Sequence, residues 1–355
     1  MRAGRPSRVK LLGSLLLAVA IFAFLLRRVD VDAVWAEIQE MTWFELVTIA
    51  LIAGWNLVTY WALWMAVTPR LRWTQAMTVA QSGTAVTNTV PGGSGIGVGL
   101  ALAMLDSWGF SRARSTLAVL ITGVWNTFIK LALPVLALAL IALQGDASAT
   151  RVAAGATAIV LLGVAVGGFW QMLRSDRAAA RAGVLAERTA NRARRLLKRP
   201  PVHGWAEATT RFRNRARDLL RSRGGWITAA ALVSHLSLYL VLLVTLRHVG
   251  VGDAEVGWAQ VLFVFAGARL ATAIRFTPGG AGVVEAVLIG GLVAFGGDPA
   301  QVTASVLVFR ALTWLLPVPL GGLTYLGWRW QQHRRATPAA VVVPAAPAEP
   351  RSPSP

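Results

Sequence analysis

Three arginines and one glutamate stand within long apolar stretches of the second half of the chain: Arg269, Arg275, Glu285 and Arg310. At helical rise Arg310 lies about 15 Å into the apolar run that begins at residue 300. A charge at that depth costs several kcal/mol unless it is paired or solvated. Glu285 is the expected partner, with Arg310 or alternatively with Arg275. The surplus of positive charge predicts a site for an anionic head group, because guanidinium binds phosphate in a bidentate fork.

That pairing also has a purely structural interpretation, in which Glu285 with Arg310 or Arg275 only locks two helices together. Two Pro-Gly-Gly turns and a following glycine supply further candidate binding residues: Pro91, Gly92, Gly93, Pro278, Gly279, Gly280 and Gly282. A helix that begins after such a turn directs free amides and the positive end of its dipole at the membrane centre, which suits phosphate. The alternative is that nearby polar side chains or water satisfy these amides and that the glycines only permit close helix packing.

Polar residues before the first turn extend this candidate site. Residues 74–89 carry too many hydroxyl and amide groups to face lipid, and Asn88 stands near their end. They are expected to line protein or a wet cavity. Lys130 is a weaker candidate, because its position in the outer half of a helix would let it extend toward the membrane surface. His235 is more typical of a satisfied interior histidine than of a proton relay.

The composition places all of these residues in a membrane. Hydrophobic residues make up 55% of the chain and charged residues only 14%, whereas about a quarter of a soluble domain is charged. The chain has no cysteine, which excludes disulfides, thiolate metal sites, thiol nucleophiles and iron–sulfur clusters. The remaining histidines, His203, His248 and His333, lack partners at metal-ligand spacing. We therefore expect neither a metal nor another cofactor.

Six apolar runs approach or exceed the length of about 20 residues that crosses a bilayer as a helix: 11–26, 43–67, 116–143, 152–173, 226–246 and 300–326. The first lacks a small-residue cleavage site and is interpreted as an uncleaved anchor. Two further stretches, 74–108 and 258–296, are broken by the Pro-Gly-Gly turns into short arms. The predicted fold is an all-α polytopic membrane protein with six spanning helices and two re-entrant, or short-crossing, helical hairpins.

A shift of 187 residues aligns the first Pro-Gly-Gly turn with the second and Gly109 with Gly296. Each aligned unit consists of a long span, a hairpin and a second long span that contains proline. The units enter the membrane from opposite sides, and inverted repeats around broken helices recur in secondary transporters. We expect one membrane domain over residues 1–335, with repeats near 43–143 and 226–328, followed by a disordered tail at 336–355 that is rich in proline and alanine.

Most of the 35 lysines and arginines fall on one side of this topology. The positive-inside rule places both termini in the cytoplasm and the protein in the cell membrane. The basic loop 174–225 lacks interleaved stacking aromatics, which disfavours nucleic acid despite the net charge of +19. We predict two amphipathic helices there, split by Pro200 and Pro201, that lie on the cytoplasmic membrane surface and contact anionic inner-leaflet lipid.

The stretch Pro278-Gly279-Gly280-Ala281-Gly282-Val283-Val284-Glu285, followed by Arg310 and Pro317, resembles the membrane region of lysylphosphatidylglycerol synthases, which also occurs in stand-alone flippase-like proteins. The resemblance covers about residues 11–326. It implies translocation of a phospholipid or related amphiphile between leaflets, with Gly279, Gly280, Gly282, Glu285 and Arg310 at matching positions. Residues 97–100 depart from it, because many relatives carry an acidic residue and an arginine there. No soluble aminoacyl-transferring domain follows, so lysyl transfer is not expected.

These observations predict a lipid transporter and not an enzyme. Its substrate would be a phospholipid or a polyprenyl-phosphate-type amphiphile, and the lack of a Walker motif predicts a gradient-driven or scrambling process. One alternative is a membrane transferase, which would need a nucleophile or paired carboxylates, although Glu285 is the only carboxylate expected to be well buried. A second alternative is a scaffold that acts with a lipid-modifying enzyme through the basic loop.

Overall fold

The structure, a computed structural model, describes residues 31–90, 92–145, 149–196, 198–272 and 277–336. The predicted anchor at 11–26, the tail beyond residue 336, Pro91 and Arg275 lie outside these ranges. Regular structure in the described ranges is helical, including a 3₁₀ turn at Pro278–Gly280 and a π-helix at Ala311–Leu315. The α-helices are α1 (Val31–Glu40), α2 (Trp43–Val67), α3 (Trp73–Thr89), α4 (Gly93–Ser107), α5 (Arg112–Leu143), α6 (Ala149–Arg174), α7 (Asp176–Leu196), α8 (Trp205–Val249), α9 (Trp258–Ala271), α10 (Val283–Ala294), α11 (Pro299–Arg310) and α12 (Pro317–Ala336).

Helices long and apolar enough to cross a membrane occur at five of the predicted spans. They are α2, α5, α6, α8 and the joined pair α11–α12. The sixth predicted span is the anchor outside the described ranges. The all-α polytopic architecture is therefore confirmed where the structure describes the chain.

The two Pro-Gly-Gly stretches form helical hairpins, as predicted. Helix α3 packs against α4, and α9 packs against α10. The four arms contain 17, 15, 14 and 12 residues, which at 1.5 Å per residue is roughly 18 to 26 Å. Each arm is thus shorter than the hydrocarbon core of about 30 Å, as a re-entrant hairpin requires.

The first spans of the two repeats, α2 and α8, run antiparallel. Near the start of α2, Glu45 lies 3.8 Å from His248 near the end of α8. Midway along α2, and before the last turns of α8, the Asn56 side-chain amide donates to the Ser234 carbonyl and to the Ser237 hydroxyl, each at 2.9 Å. Corresponding elements of the two repeats therefore point in opposite directions, which agrees with the predicted inversion.

Each hairpin also packs against the other repeat. The first arm of the first hairpin, α3, packs on α12 of the second repeat, and the first arm of the second hairpin, α9, packs on α5 of the first repeat. Gly321 permits the α3–α12 contact, because a Cβ there would overlap the Gln81 carbonyl oxygen and the Ala85 side chain. Hairpin arms therefore form the interface between the repeats together with the spans α2 and α8.

Aligned glycines share an unusual backbone conformation. Gly92 and Gly279 have φ of 65° and 57°, and Gly109 and Gly296 have φ of 84° and 109°. Side chains with a Cβ rarely adopt this left-handed region. The same turns therefore recur at the 187-residue spacing, with Gly92 and Gly279 at the hairpin tips.

The predicted position of the basic loop on the membrane surface is wrong for its second helix. Helix α8 is continuous over 45 residues, or roughly 67 Å, more than twice the thickness of the hydrocarbon core. Its basic first part, residues 205–223, therefore extends the span away from the membrane, and α7 packs along it. The helix continues because no proline interrupts residues 205–249. The contact with α8 buries Ala179 and Gly183 of α7, whereas Leu185 and Leu196 stay exposed.

One buried arginine holds this extension in place. The Arg213 side chain donates from Nε to the Leu173 carbonyl at 3.0 Å and from Nη2 to the Arg174 carbonyl at 3.2 Å. Its Nη1 also donates to the Asp176 carboxylate. These contacts satisfy carbonyls at the end of α6 and fix where the chain turns into α7.

Candidate substrate-binding cavity between the hairpins

A cavity of about 480 Å³ lies between the two hairpins. Both repeats line it, through α2, α3, α4 and α5 on one side and α8, α9, α10 and the π-helix on the other. Its volume falls within the range of about 300–1,000 Å³ found for small-molecule sites. The polar arm α3 contributes Gln81, Thr84, Thr87 and Asn88, so the prediction that residues 74–89 line a cavity is confirmed for these side chains.

Glu285 and Arg310 form a buried ion pair beside the cavity. Arg310 Nε donates to Glu285 Oε1 at 2.7 Å, and the two side chains are 11% and 6% exposed, respectively. The other carboxylate oxygen, Oε2, accepts from the Gly282 backbone amide at 2.8 Å. Glu285 therefore caps the start of α10 and joins it to the end of α11, which is the Arg310 pairing expected from the sequence.

The π-helix after Arg310 gives the first hairpin a place to bind. Pro317 and Pro319 lack N–H groups, and Leu316 N donates five residues back to the Ala311 carbonyl at 2.8 Å. The Asn88 side-chain amide donates to the Trp314 carbonyl within this widened turn at 2.9 Å. Asn88 is thereby brought to the second repeat.

Trp314 continues this connection to the ion pair. Its ring centroid lies 5.1 Å from Arg310 Cζ, within the range of a cation–π contact. A Cβ at Gly279 would overlap Trp314 Nε1 and would lie 2.9 Å from Asn88 Oδ1. The tip of the second hairpin therefore meets the end of the first hairpin at a point that only glycine fits.

Lys130 and Arg269 form a second cationic group. Lys130 Nζ donates to the Thr272 hydroxyl at 2.9 Å, and that hydroxyl donates to the Arg269 carbonyl at 2.6 Å. Both cations line the cavity, and Arg269 is close enough to Arg310 and Tyr60 to interact with them electrostatically. Lys130, one of the predicted binding residues, lies at the cavity and does not extend outward, because α5 packs against α9 and turns this face of α5 to the interior.

Basic side chains outnumber acidic ones among the described residues that line the cavity. Lys130, Arg269 and Arg310 line it, and neither aspartate nor glutamate is among the described lining residues. The nearby Glu285 carboxylate is already engaged by Arg310 and Gly282. Over the described ranges no group of three or more metal-ligating side chains occurs.

A protein-family model described as the lysylphosphatidylglycerol synthase TM region matches residues 11–321. The chain belongs to this family. The match confirms the resemblance carried by the second Pro-Gly-Gly motif, and the matched segment contains both hairpins, Glu285 and Arg310. A search of curated proteins found no match. Membership of the lysylphosphatidylglycerol synthase TM region family associates the chain with lipid metabolism or transport in a membrane.

Within this family fold, the glycines predicted for the site take different positions. Gly92, Gly93, Gly279 and Gly280 line the cavity, while Gly282 lies at the start of α10, where its amide binds Glu285. In the first repeat, Val98 stands 187 residues before Glu285 and also lines the cavity. Residues 97–100 lack the acidic residue that the resemblance implies. The first repeat therefore contributes no carboxylate to the cavity at this position.

Several cavity residues were not among the predicted site residues, namely Asn56, Tyr60, Thr122, Asn126, His235 and Trp314. A polar residue inside an apolar span is a signal for an interior site, and Asn56, Asn126 and His235 meet that description. Trp314 carries no comparable signal. Its role depends on the π-helix, which widens the turn where Trp314 approaches Arg310.

Proposed function

We propose that this protein is a lipid transporter, and not an enzyme, that moves a phospholipid or a polyprenyl-phosphate-type amphiphile between membrane leaflets. The observation that carries the proposal is the polar cavity between two oppositely oriented hairpins, lined by both repeats. A head group cannot enter hydrocarbon without losing its hydrogen bonds to water. The cavity offers hydroxyl, amide and cationic groups that replace those hydrogen bonds. The hydrocarbon chains of the transported lipid stay in the bilayer.

The packing of each hairpin against the other repeat supports an alternating-access mechanism. Each hairpin is held by a span of the other repeat, so movement of one repeat against the other shifts both hairpins together. In secondary transporters such rigid-body movement opens a central site to either side in turn. The Gly279 contact with Trp314 and Asn88 is where the hairpins would part.

A transferase receives less support from the geometry. Such an enzyme needs a nucleophile or a general base with an available lone pair toward its substrate. Glu285, the buried carboxylate nearest the cavity, has one oxygen engaged by Arg310 and the other by Gly282. Because both of its oxygens are engaged, Glu285 suits a structural and electrostatic role.

The membrane orientation in this proposal follows the distribution of charge. Both termini lie in the cytoplasm of a cell whose plasma or inner membrane holds the protein, and α7 with the first part of α8 projects inward. The arginines of this extension would contact anionic lipid of the inner leaflet and not nucleic acid. Such contacts contribute about 1 kcal/mol per basic residue near the surface.

Reconstitution into liposomes tests the transport proposal. The purified chain is incorporated with a panel of head-group-labelled lipids, and exchange between leaflets is followed by the fraction of label accessible to an impermeant quencher. The described surroundings of Gly123 and Gly163 leave room for an added Cβ, with no atom within 4 Å. Gly123 lines the cavity and Gly163 lies on the exposed face of α6.

We expect Gly123→Phe, which places a ring in the cavity, to abolish exchange, and Gly163→Phe to retain it. Exchange no faster than in protein-free liposomes for every lipid would overturn the transport proposal. Unchanged exchange by Gly123→Phe would show that lipid takes another route.

A further inference from the structure

A second cavity, of about 210 Å³, lies between the start of α5 and the basic first part of α8, and its described lining includes no hairpin residue. We call it the arginine groove. Its basic lining residues are Arg112, Arg211 and Arg215, and none of the described lining residues is acidic. On α8 the lining positions 208, 211, 212 and 215 recur at helical spacing and so share one face. Two helices therefore bring three guanidinium groups to one place.

Two of these arginines have charge available for a ligand. Arg112 Nε lies 3.4 Å from the Asp106 carboxylate, which offsets its charge. The ion pairs between described residues include neither Arg211 nor Arg215, and both are exposed. Like charges four residues apart on a helix repel each other. One phosphate between them relieves that repulsion, and guanidinium binds phosphate in a bidentate fork.

The arginine groove lies where two spans leave the apolar layer. Thr116 and Leu117 line it, and they begin the apolar run of α5. The apolar run of α6 ends at Leu173, whose carbonyl accepts from Arg213 Nε at 3.0 Å. Arg213 stands between the two α8 arginines of the groove in sequence. These contacts place the groove near the level of lipid head groups.

Apolar side chains complete the lining. Leu117 is 8% exposed, and Ala113 and Phe212 are half-buried. A soluble anion gains nothing from such surface, whereas the glycerol end of a lipid's acyl chains is stabilised by it. The volume is below the range of about 300–1,000 Å³ for complete small-molecule sites. The groove therefore suits the phosphate end of a lipid whose chains remain in the bilayer.

We propose that the arginine groove binds the phosphate of one anionic phospholipid of the cytoplasmic leaflet, and that this lipid is distinct from the transported one. Arg211 and Arg215 hold the phosphate, and Arg112 approaches it from α5. Basic pockets between spans on the cytoplasmic side recognise lipid head groups in this way. Because α5 belongs to the first repeat and α8 leads into the second, the lipid joins the repeats at their cytoplasmic ends. The inference rests on the membrane orientation proposed above.

Lipid retention by the full chain tests the groove. The protein in detergent is incubated with equal amounts of phosphatidylglycerol and phosphatidylcholine, and bound lipids are counted by native mass spectrometry. We expect phosphatidylglycerol to be retained preferentially. Arg211→Gln with Arg215→Gln should lower its retention about tenfold, because both phosphate forks are lost. Retention equal to that of the unmodified chain overturns the proposal.

Arg177→Gln with Arg181→Gln is the matched control. Both residues are exposed on α7 and four residues apart, and the adjacent Asp176 contacts Arg213. The control therefore removes the same charge near the same level but outside the groove, and it should retain phosphatidylglycerol. An equal fall in the two double variants would mean general attraction to basic residues and would overturn a discrete site.

A second pair of variants changes shape without changing charge. Thr116→Trp places an indole in the arginine groove, whereas Thr157→Trp places one on the exposed face of α6. We expect only Thr116→Trp to lower retention of phosphatidylglycerol. Equal retention by the two variants would contradict binding in the groove, even if the arginine variants fail to fold.

Two further arms separate this lipid from other ligands and sites. Glycerol 3-phosphate should displace less phosphatidylglycerol than a short-chain phosphatidylglycerol at the same concentration, and equal displacement would assign the groove to soluble phosphates instead. Gly123→Phe should keep the retained lipid, and its loss there alone would place the lipid between the hairpins. No arm measures leaflet exchange, so failure of transport leaves the groove standing and failure of the groove leaves transport standing.

Discussion

Asn88 donates its side-chain amide to the backbone carbonyl of Trp314 at 2.9 Å, across 226 residues of sequence. The contact joins the end of the first hairpin to the π-helix of the last span. Trp314 in turn lies over Arg310, which pairs with Glu285. A continuous line of contacts therefore runs from the first hairpin to the start of α10, and the predictions below address its individual links.

Replacement of Asn88 by alanine should destabilise the protein by about 1–3 kcal/mol, because it leaves the part-buried Trp314 carbonyl without this donor. The measurement is the unfolding transition in detergent. Thr89→Ala is the control, since Thr89 is exposed and its hydroxyl donates to the Ala85 carbonyl of its own helix. Equal losses of stability in the two variants would mean that the contact between repeats contributes nothing.

Gly279→Ala should cost more stability than Gly92→Ala. Both glycines have positive φ, 57° and 65°, so both variants lose about 1–2 kcal/mol from backbone strain. The added Cβ meets Trp314 and Asn88 at Gly279, whereas it meets nothing within 4 Å at Gly92. Overpacking of this kind costs about 1–3 kcal/mol more. Similar Tm values for both variants would contradict the close approach of the hairpins.

Glu285→Ala should lower stability by about 3–5 kcal/mol, because it leaves Arg310 as an unpaired buried charge. The double variant Glu285→Ala with Arg310→Leu should recover much of that loss, since no charge is then stranded. Folded yield and Tm of the single and double variants check this expectation. Failure of the double variant to recover would mean that Arg310 is not the group stranded by loss of Glu285.

Cysteine labelling tests the orientation, because the chain contains no cysteine of its own. Ala254 and Ser111 are exposed outside the helices, and Ser222 is exposed within the basic first part of α8. Ala254→Cys should react with an impermeant thiol reagent added to intact cells, whereas Ser111→Cys and Ser222→Cys should react only after permeabilisation. Labelling of Ser222→Cys from outside would contradict the projection of the α8 extension into the cytoplasm.

The spans, hairpins and repeat follow from the sequence because the bilayer imposes them. Hydrocarbon tolerates only helices whose backbone groups are satisfied within the segment, so apolar length alone located α2, α5, α6 and the apolar part of α8. The Pro-Gly-Gly turns marked the hairpin tips, since proline ends a helix and glycine adopts positive φ. The Glu285–Arg310 pair could also be predicted from the sequence, because a charge deep in a span requires a partner.

The direction of each side chain about its helix was decided only by tertiary packing. The sequence left open whether Lys130 extends outward, and the contact of α5 with α9 places it against Thr272 inside the cavity. His235 and Thr122 come together with Arg269 for the same reason, since the hydrophobicity of a span buried in lipid does not specify which face meets protein. The continuity of α8 also required the structure, because a basic amphipathic segment is equally suited to a membrane surface and to packing against α7. The sequence therefore determined which elements exist, and the packing between repeats determined which side chains share the cavity.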